Sequence, residues 1–356
     1  MHKLKQTPED FQVFEIPDRT WLKEGNYQVW KLTKKNYNTE DAIQQICKTL
    51  NLERKFISYA GTKDKNAITE QYITIKNKPK ETIQNLKLKD IHLEFQGCTN
   101  QPLSLGNLKG NKFKITIRNL EKNTAEKILE LNQKTTQTPK QNKQIPNYFD
   151  EQRFQKNNAE IGKLLIKKEY KKTYELLKND HQYGEKLKEY LKENKNDYIN
   201  AIRTIPKKIL KLYIHSYQSK LWNHTTNIIL KTYKKEKIPD TTPLIGFGTE
   251  TQNEKTKKIL NKIMEEEKIT ERDFIIKEIP ELTTEGTTRK TYIDLQDLKI
   301  NKPKKDEINT QNDKNPLFKI TTEFTIGKGS YATIIIKHLI LPKKQLNLNT
   351  KNLKKQ

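Results

Sequence analysis

The sequence predicts an α+β fold in which a sheet domain is interrupted by a largely helical unit and resumes near the end of the chain. Three observations carry this. Short period-two segments fill the first 120 residues, lysine-rich helical patterns dominate from about residue 157, and alternating apolar segments return after residue 316.

In chain order, "DFQVFEI" and "NYQVWKLTK" alternate as strands, with Tyr27 and Val29 on one face and Trp30 and Leu32 on the other; together they read as a hairpin-like start. "NTEDAIQQICKTLNL" puts Ala42, Ile43, Ile46, Cys47 and Leu50 at helical spacing, with Thr39 placed to cap the first turn. "KFISYA", "EQYITIK" and "NKFKITIRNL" are strands, the last with Phe113, Ile115 and Ile117 on one face. A helix follows from Asn123, with Glu126 completing a capping box. "IGKLLIKKEYKKTYELL" and, after Pro206, "KKILKLYIHSYQSKLWN" are the long helical patterns, and Leu212, Tyr213, Ser216, Tyr217 and Leu221 mark a packing face. Residues 301–316, polar and poor in apolar side chains, read as a linker or exposed loop, and "LFKITTEFTI" with "YATIIIKHLI" as a final strand pair. The expected organisation is a sheet domain over 1–160, an inserted helical domain over 161–305, return strands over 306–345 and a mobile basic tail over 346–356.

The chain has 356 residues, room for about two domains. Its 69 Lys+Arg against 44 Asp+Glu give a formal charge of +25, which favours a polyanionic partner, nucleic acid first. An A+T-rich genome produces the same surplus of Lys, Asn and Ile, so charge is a weak vote. Cys47 and Cys98 have neither disulfide-framework nor metal-ligand spacing, which fits a reducing cytoplasm. His2, His92, His181, His215, His224 and His338 are scattered without a metal-binding pattern. No apolar run approaches the roughly 20 residues that span a bilayer, and the N-terminus lacks a signal segment.

One stretch stands out from this background. In "GTKDKNAITEQ", residues 61–71, Asp64 sits between Lys63 and Lys65 just after a glycine turn. The plain reading is a carboxylate closing a solvent turn. The flanking charge also favours an ionised, nucleophilic carboxylate over a proton donor, and no second carboxylate lies close enough in sequence for a paired acid and base. A lone ionised aspartate on a basic protein suits work on a nucleic-acid sugar or base.

"SYAGTKDKNAITEQ" resembles the signature of the TruD family of pseudouridine synthases, a G-x-K-D-x-x-A-x-T-x-Q pattern around its catalytic aspartate. "KQTPEDFQVFEI", "NYNTEDAIQQI", "LGNLKGNKFKITIRN", "PNYFDEQRF", "YIHSYQSKLWN", "PLIGFG" and "IGKGSYATIIIKHLI" resemble further family blocks in the same order. The resemblance covers nearly the whole chain and is closer to the archaeal and eukaryotic branch. It implies a pseudouridine-synthase-type, mainly antiparallel sheet domain with an inserted, largely helical family-specific domain. It also implies isomerisation of a uridine in tRNA, at position 13, without cofactor or metal. Asp64 maps onto the catalytic aspartate, acting at C1′ of the ribose or C6 of the uracil. Phe149 maps onto an aromatic that stacks the extruded base, Asn147 onto a nearby polar residue, and Tyr331 onto a second aromatic wall. Lys5 maps onto the basic partner of the aspartate, with Lys63 as the local alternative for that role.

The chain departs from the family where glycines are usual, at Asp150 and Gln155. These substitutions predict a different local turn and a negative charge near the RNA path. The rival readings are an RNA-binding or RNA-folding protein that keeps the scaffold without catalysis, and a DNA-binding protein, for which the chain lacks a helix-turn-helix or zinc module.

Overall fold

Strand register, more than any single helix, decides where the GTKDK stretch emerges. The structure, a computed structural model, describes residues 2–136, 144–311 and 314–341, so the tail over 346–356 lies outside the described residues. By contacts the chain divides into two units, residues 1–144 with 294–332, and 145–293 with 333–356. Asn147 and Phe149 therefore belong to the second unit. The sequence places the corresponding boundaries at 160/161 and 305/306. The chain leaves the first unit earlier because Asn147 and Ile293 are tied into a ladder beyond it, with Asn147 N donating to Thr291 O and Ile293 N to Ile145 O.

The first unit is built on β1 (Phe11–Pro17), β2 (Tyr27–Lys35), α1 (Thr39–Leu50), β3 (Ile57–Tyr59), β4 (Ile68–Ile75), α2 (Lys80–Gln84), β5 (Ile91–Thr99), β6 (Leu108–Leu120) and α3 (Lys122–Thr136). After the second unit it is completed by β9 (Leu295–Ile300), β10 (Lys304–Lys305) and β11 (Phe318–Gly327). The sheet runs β10-β11-β6-β1-β4-β2-β5, with β3 on β4 and β9 on β11. Among the described strand pairs of this sheet, only β1 and β4 are parallel. The expected mainly antiparallel α+β sheet is present.

Five local expectations change. β1 and β2 form no hairpin: β4 lies between them, and Leu22 in their connection bridges Cys98 of β5. Asn38, not Thr39, caps α1, its Oδ1 accepting from Asp41 N at 2.8 Å. α3 begins at Lys122, so Asn123 is already helical, and the Glu121 carbonyl accepts from Thr124 and Ala125. "YATIIIKHLI" is a helix, α10 (Ala332–Ile340): Ala332, Ile335, Ile336 and Leu339 are buried at i, i+3, i+4, i+7, a pattern that outweighs the β-branched composition. Residues 301–316 are not a free linker. They contribute β10, and buried Asp306 accepts from Arg118 Nη1 at 3.0 Å and Asn119 N at 2.8 Å.

In the first unit α1 lays Ala42, Ile43, Ile46 and Leu50 against Trp30, Leu32, Ile73 and Ile75. Each such burial contributes roughly 1.5–3 kcal/mol. The second unit holds α4 (Asn158–Ile166), α5 (Tyr170–Leu177), α6 (Gly184–Glu193), α7 (Tyr198–Arg203), α8 (Lys207–Thr232), β7 (Thr241–Leu244), α9 (Glu254–Glu267), β8 (Thr287–Lys290) and most of α10. Its core gathers around α8 through Leu210, Tyr213, Ile214, Tyr217 and Leu221. The expected packing face of α8 is buried at Tyr213, Ser216, Tyr217 and Leu221. α4 meets α8 at Gly162, where a Cβ would run into the Tyr213 carbonyl. No described helix is long and apolar enough to cross a membrane.

Candidate active site

β1 takes the first half of one edge of β4, at Ile68–Glu70, and β3 takes the second half, at Ile73–Ile75. The GTKDK loop enters β4 between them. At this split the Tyr72 amide donates to Glu15 Oε1 at 3.1 Å instead of to a strand. Glu15 also accepts from Lys63 Nζ, a pair buried on both sides. Gln71, fully buried, donates from Nε2 to Gly61 O at 2.9 Å and accepts from Thr39 Oγ1 at 2.8 Å, and Thr39 Oγ1 accepts from Lys63 N at 2.8 Å. The loop is thus held from below at Gly61 and Lys63, and Asp64 follows immediately.

Lys5 comes to Asp64 from 59 positions away, Nζ donating to Oδ2 at 3.0 Å. The two side chains retain 26% and 37% exposure, so the ion pair is open to a substrate. Lys5 itself adopts a left-handed backbone, φ 55°, a conformation non-glycine residues adopt when their surroundings impose it. Those surroundings are visible. Lys3 bridges Arg118 of β6, Thr7 N donates to Asp10 Oδ2 at 3.0 Å, and Arg118 Nε donates to Asp10 Oδ1 at 2.9 Å. Lys3 Nζ and Gln6 Nε2 donate to Asn309 Oδ1 at 2.8 and 3.3 Å. The Lys5 ammonium also lies 4.1 Å from the Phe11 ring centre. Of the two basic candidates, Lys5 pairs with Asp64, whereas Lys63 turns inward to Glu15.

A third lysine lies beneath the loop. Lys34, at the inner end of β2 and fully buried, donates to Tyr37 O at 2.6 Å, Asp64 O at 2.9 Å and Lys63 O at 3.5 Å. Burial pulls its ammonium down to about 8; the Asp64 charge works against that pull and the Lys63 charge adds to it.

The second unit holds the aromatic candidate. Phe149 N donates to Asn223 Oδ1 and Asn223 Nδ2 donates to Phe149 O, both at 2.9 Å, a two-way clamp from α8 on the residue's own backbone. The Phe149 ring meets Trp222 edge-on, with centroids 5.7 Å apart, and the Arg289 guanidinium lies 4.0 Å from its centre. Arg289 is fixed by Asn147, donating from Nε to its carbonyl at 3.0 Å and from Nη2 to Oδ1 at 2.8 Å. Asn147, nearly fully buried, also donates from Nδ2 to Lys290 O at 3.2 Å. Phe149 remains only partly buried. Asn147 therefore orients Arg289 and the backbone beside the ring.

Tyr331 ends the last loop of the first unit, partly buried, just before α10. That loop reaches the GTKDK stretch in two steps: Lys328 Nζ donates to Gly106 O at 3.0 Å, and Gly106 N donates to Ala60 O at 2.8 Å. The two glycine departures are absorbed without strain. Neither Asp150 nor Gln155 has a positive φ, and Asp150 is extended at φ −85°. Asp150 is buried as the cap of the turn after Phe149, accepting from Glu151 N at 2.8 Å, from Lys337 Nζ at 2.6 Å and from Thr333 Oγ1. Burial raises its carboxyl, but the Lys337 and Thr333 hydrogen bonds and the Lys337 charge outweigh this and hold it below the usual range. Its negative charge meets a lysine rather than standing free.

Sequence reasoning missed Glu15, Lys34, Thr39 and Gln71 under the loop, and Trp222, Asn223 and Arg289 around Phe149. Part of the signal was present. On β1 the inward positions run Phe11, Val13, Glu15, and on β2 Trp30, Leu32, Lys34. A charge that closes an apolar face is a buried charge with work to do. For Trp222, Asn223 and Arg289 there was no comparable local signal, because they meet Phe149 only through the tertiary fold.

Comparison with known proteins finds relatives over nearly the whole chain. The family model for tRNA pseudouridine synthase D (TruD) matches residues 2–178, 167–235 and 224–339. A probable tRNA pseudouridine synthase D of Nanoarchaeum equitans is 32% identical, over 95% of this chain and 98% of the relative. One of Methanococcoides burtonii is 28% identical, over 94% and 92%. A TruD crystal structure from Methanosarcina mazei superposes with a TM-score of 0.72 at 26% identity, covering 95% of this chain and 93% of the other.

Proposed function

The chain belongs to the TruD family and isomerises uridine to pseudouridine in tRNA, and we propose that it does so in the cytoplasm, at position 13, with Asp64 as the catalytic carboxylate. The observation that carries the assignment is the Lys5 and Asp64 pair, open to substrate at the mouth of a loop anchored by side chains from three strands.

In this reading the carboxylate acts at C1′ or C6 of the target nucleotide. The N1–C1′ bond breaks, the base turns in place, and C5 bonds to C1′. The C5 hydrogen then leaves as a proton and N1 takes one up, so the reaction is an isomerisation with no net consumption. Lys5 donates a hydrogen bond to the carboxylate and steadies it between the two bond changes. Phe149 stacks the extruded uracil, with Arg289 and Trp222 fixing the ring and Asn147 fixing Arg289. Tyr331 forms a further wall of the base site. The first unit supplies the carboxylate, and the family-specific insertion corresponds to the helical part of the second unit between 161 and 293.

Pseudouridine mapping by carbodiimide adduct and primer extension on unmodified tRNA transcripts tests this. Wild type should give one new stop at position 13. Asp64→Asn should lower the rate on the order of 10,000-fold, as loss of a nucleophile does. An equal stop with both proteins would remove Asp64 from the chemistry, and a stop elsewhere would correct the position.

A further inference from the structure

We propose that Lys34 is a positioning residue for the reaction: its buried ammonium holds the Asp64 main chain from beneath, so that the carboxylate is presented in one orientation. This rests on the reading of Asp64 as the catalytic carboxylate. The argument begins with cost. A fully buried ammonium is expensive unless paired, and among the described residues no carboxylate hydrogen-bonds to Lys34. Its three acceptors are backbone carbonyls, and two of them belong to Lys63 and to Asp64 itself. The third, Tyr37 O, lies just before α1, so one ammonium ties the start of that helix to the catalytic loop.

An apolar side chain of similar length fills the same volume without the desolvation cost. What the charge adds is a cation below the loop opposite the one above it. Lys5 meets the Asp64 side chain and Lys34 meets its carbonyl, so the residue is gripped at both ends. The charges that bear on Lys34 are Asp64, which supports the ammonium, and Lys63, which opposes it; Lys63 is in turn occupied by Glu15 from β1. On the neighbouring strand the buried side chains Thr69 and Gln71 are uncharged.

The test measures single-turnover pseudouridine formation in a tRNA transcript by wild type, Lys34→Met and Lys34→Arg across the neutral and alkaline range, with tRNA affinity measured in parallel. Lys34→Met should lower the rate on the order of 100-fold, the scale of a misplaced catalytic group, with affinity unchanged. The wild-type rate should fall as pH rises through about 8, where the ammonium loses its proton. Lys34→Arg stays charged and should lack that fall. Stability moves the other way. Between about 8 and 10.5 the unfolded chain binds more protons at this residue than the folded one, so its contribution to folding rises with pH and the lost rate is not unfolding. Amide exchange on the protein alone should be faster at 61–67 in Lys34→Met and unchanged in the middle of β4.

Lys34→Met at the wild-type rate overturns the inference. If both variants fail to fold, the wild-type profile decides: a flat alkaline limb overturns it and a fall near 8 sustains it. Asp64→Asn, run alongside, separates the two readings. If it keeps the wild-type rate, the role of Asp64 falls, while amide exchange still decides whether Lys34 anchors the loop.

Discussion

The Asp64 loop and the Phe149 segment are held by opposite means. Asp64 stands on irregular backbone secured by charges, with Lys5 above, Lys34 below and the Lys63 and Glu15 pair beside it. Phe149 is secured by neutral amide hydrogen bonds to Asn223 and by ring contacts with Trp222 and Arg289. The difference matches the roles proposed for the two residues. A carboxylate that changes its bonding during a reaction needs surrounding charge that stabilises more than one state. A stacking ring needs a fixed plane, which the Asn223 backbone clamp, the Trp222 contact and a single guanidinium give.

If that contrast is right, substitutions should split by kinetic parameter. The larger effect is expected at Lys5. Lys5→Met removes a charge-assisted hydrogen bond from Asp64 and should lower kcat by about 10- to 100-fold. KM should change little, and Lys5→Arg should recover part of the loss. Steady-state kinetics on tRNA transcripts check this; a rise in KM at constant kcat would make Lys5 a phosphate contact instead. Phe149→Ala should cost about 1–3 kcal/mol of base stacking, and Phe149→Tyr should be nearly silent. Equal losses for Phe149→Ala and Phe149→Tyr would show that the ring packs the fold rather than the base. Arg289→Lys keeps the charge but loses the planar fork that spans Asn147 and the ring. It should lower kcat/KM by roughly 5-fold, within the range of an exposed cation and ring contact.

The same contrast explains what was legible in the sequence. The Asp64 neighbourhood is built from short segments whose charges interrupt regular patterns, so "GTKDK" stood out and Glu15 and Lys34 had a trace in their strands. Lys5 was reachable only through ordered family resemblance, since nothing local ties residue 5 to residue 64. Its support from Asn309 was hidden because residues 301–316 have a loop's composition, and only the tertiary fold shows Asp306 buried against Arg118. The last helix was misread for a physical reason: Thr333, Ile334, Ile335 and Ile336 favour strands as single residues, while their burial period belongs to a helix. The hairpin was misread because alternation reports a strand and not its partner, and here β4 inserts between β1 and β2.

The smallest expected effect on activity, and the sharpest on stability, is at Asp150. Were this residue a free negative charge near the RNA, Asp150→Asn would tighten tRNA binding and make it less sensitive to salt. Its carboxylate instead caps the turn after Phe149 and is matched by Lys337, so tRNA affinity should stay the same. The cost appears in folding. Losing a charge-assisted hydrogen bond to a half-buried lysine should destabilise the protein by about 2 kcal/mol. The folded-state value of Asp150 lies below its ordinary 3.8, so its contribution is complete above that value and lost as pH falls below it. Urea melts of wild type and Asp150→Asn should therefore differ by a constant amount near neutrality and converge in acid. A difference that persists unchanged as pH falls well below 3.8 would mean that the stabilisation comes from the shape of the side chain and not from its charge.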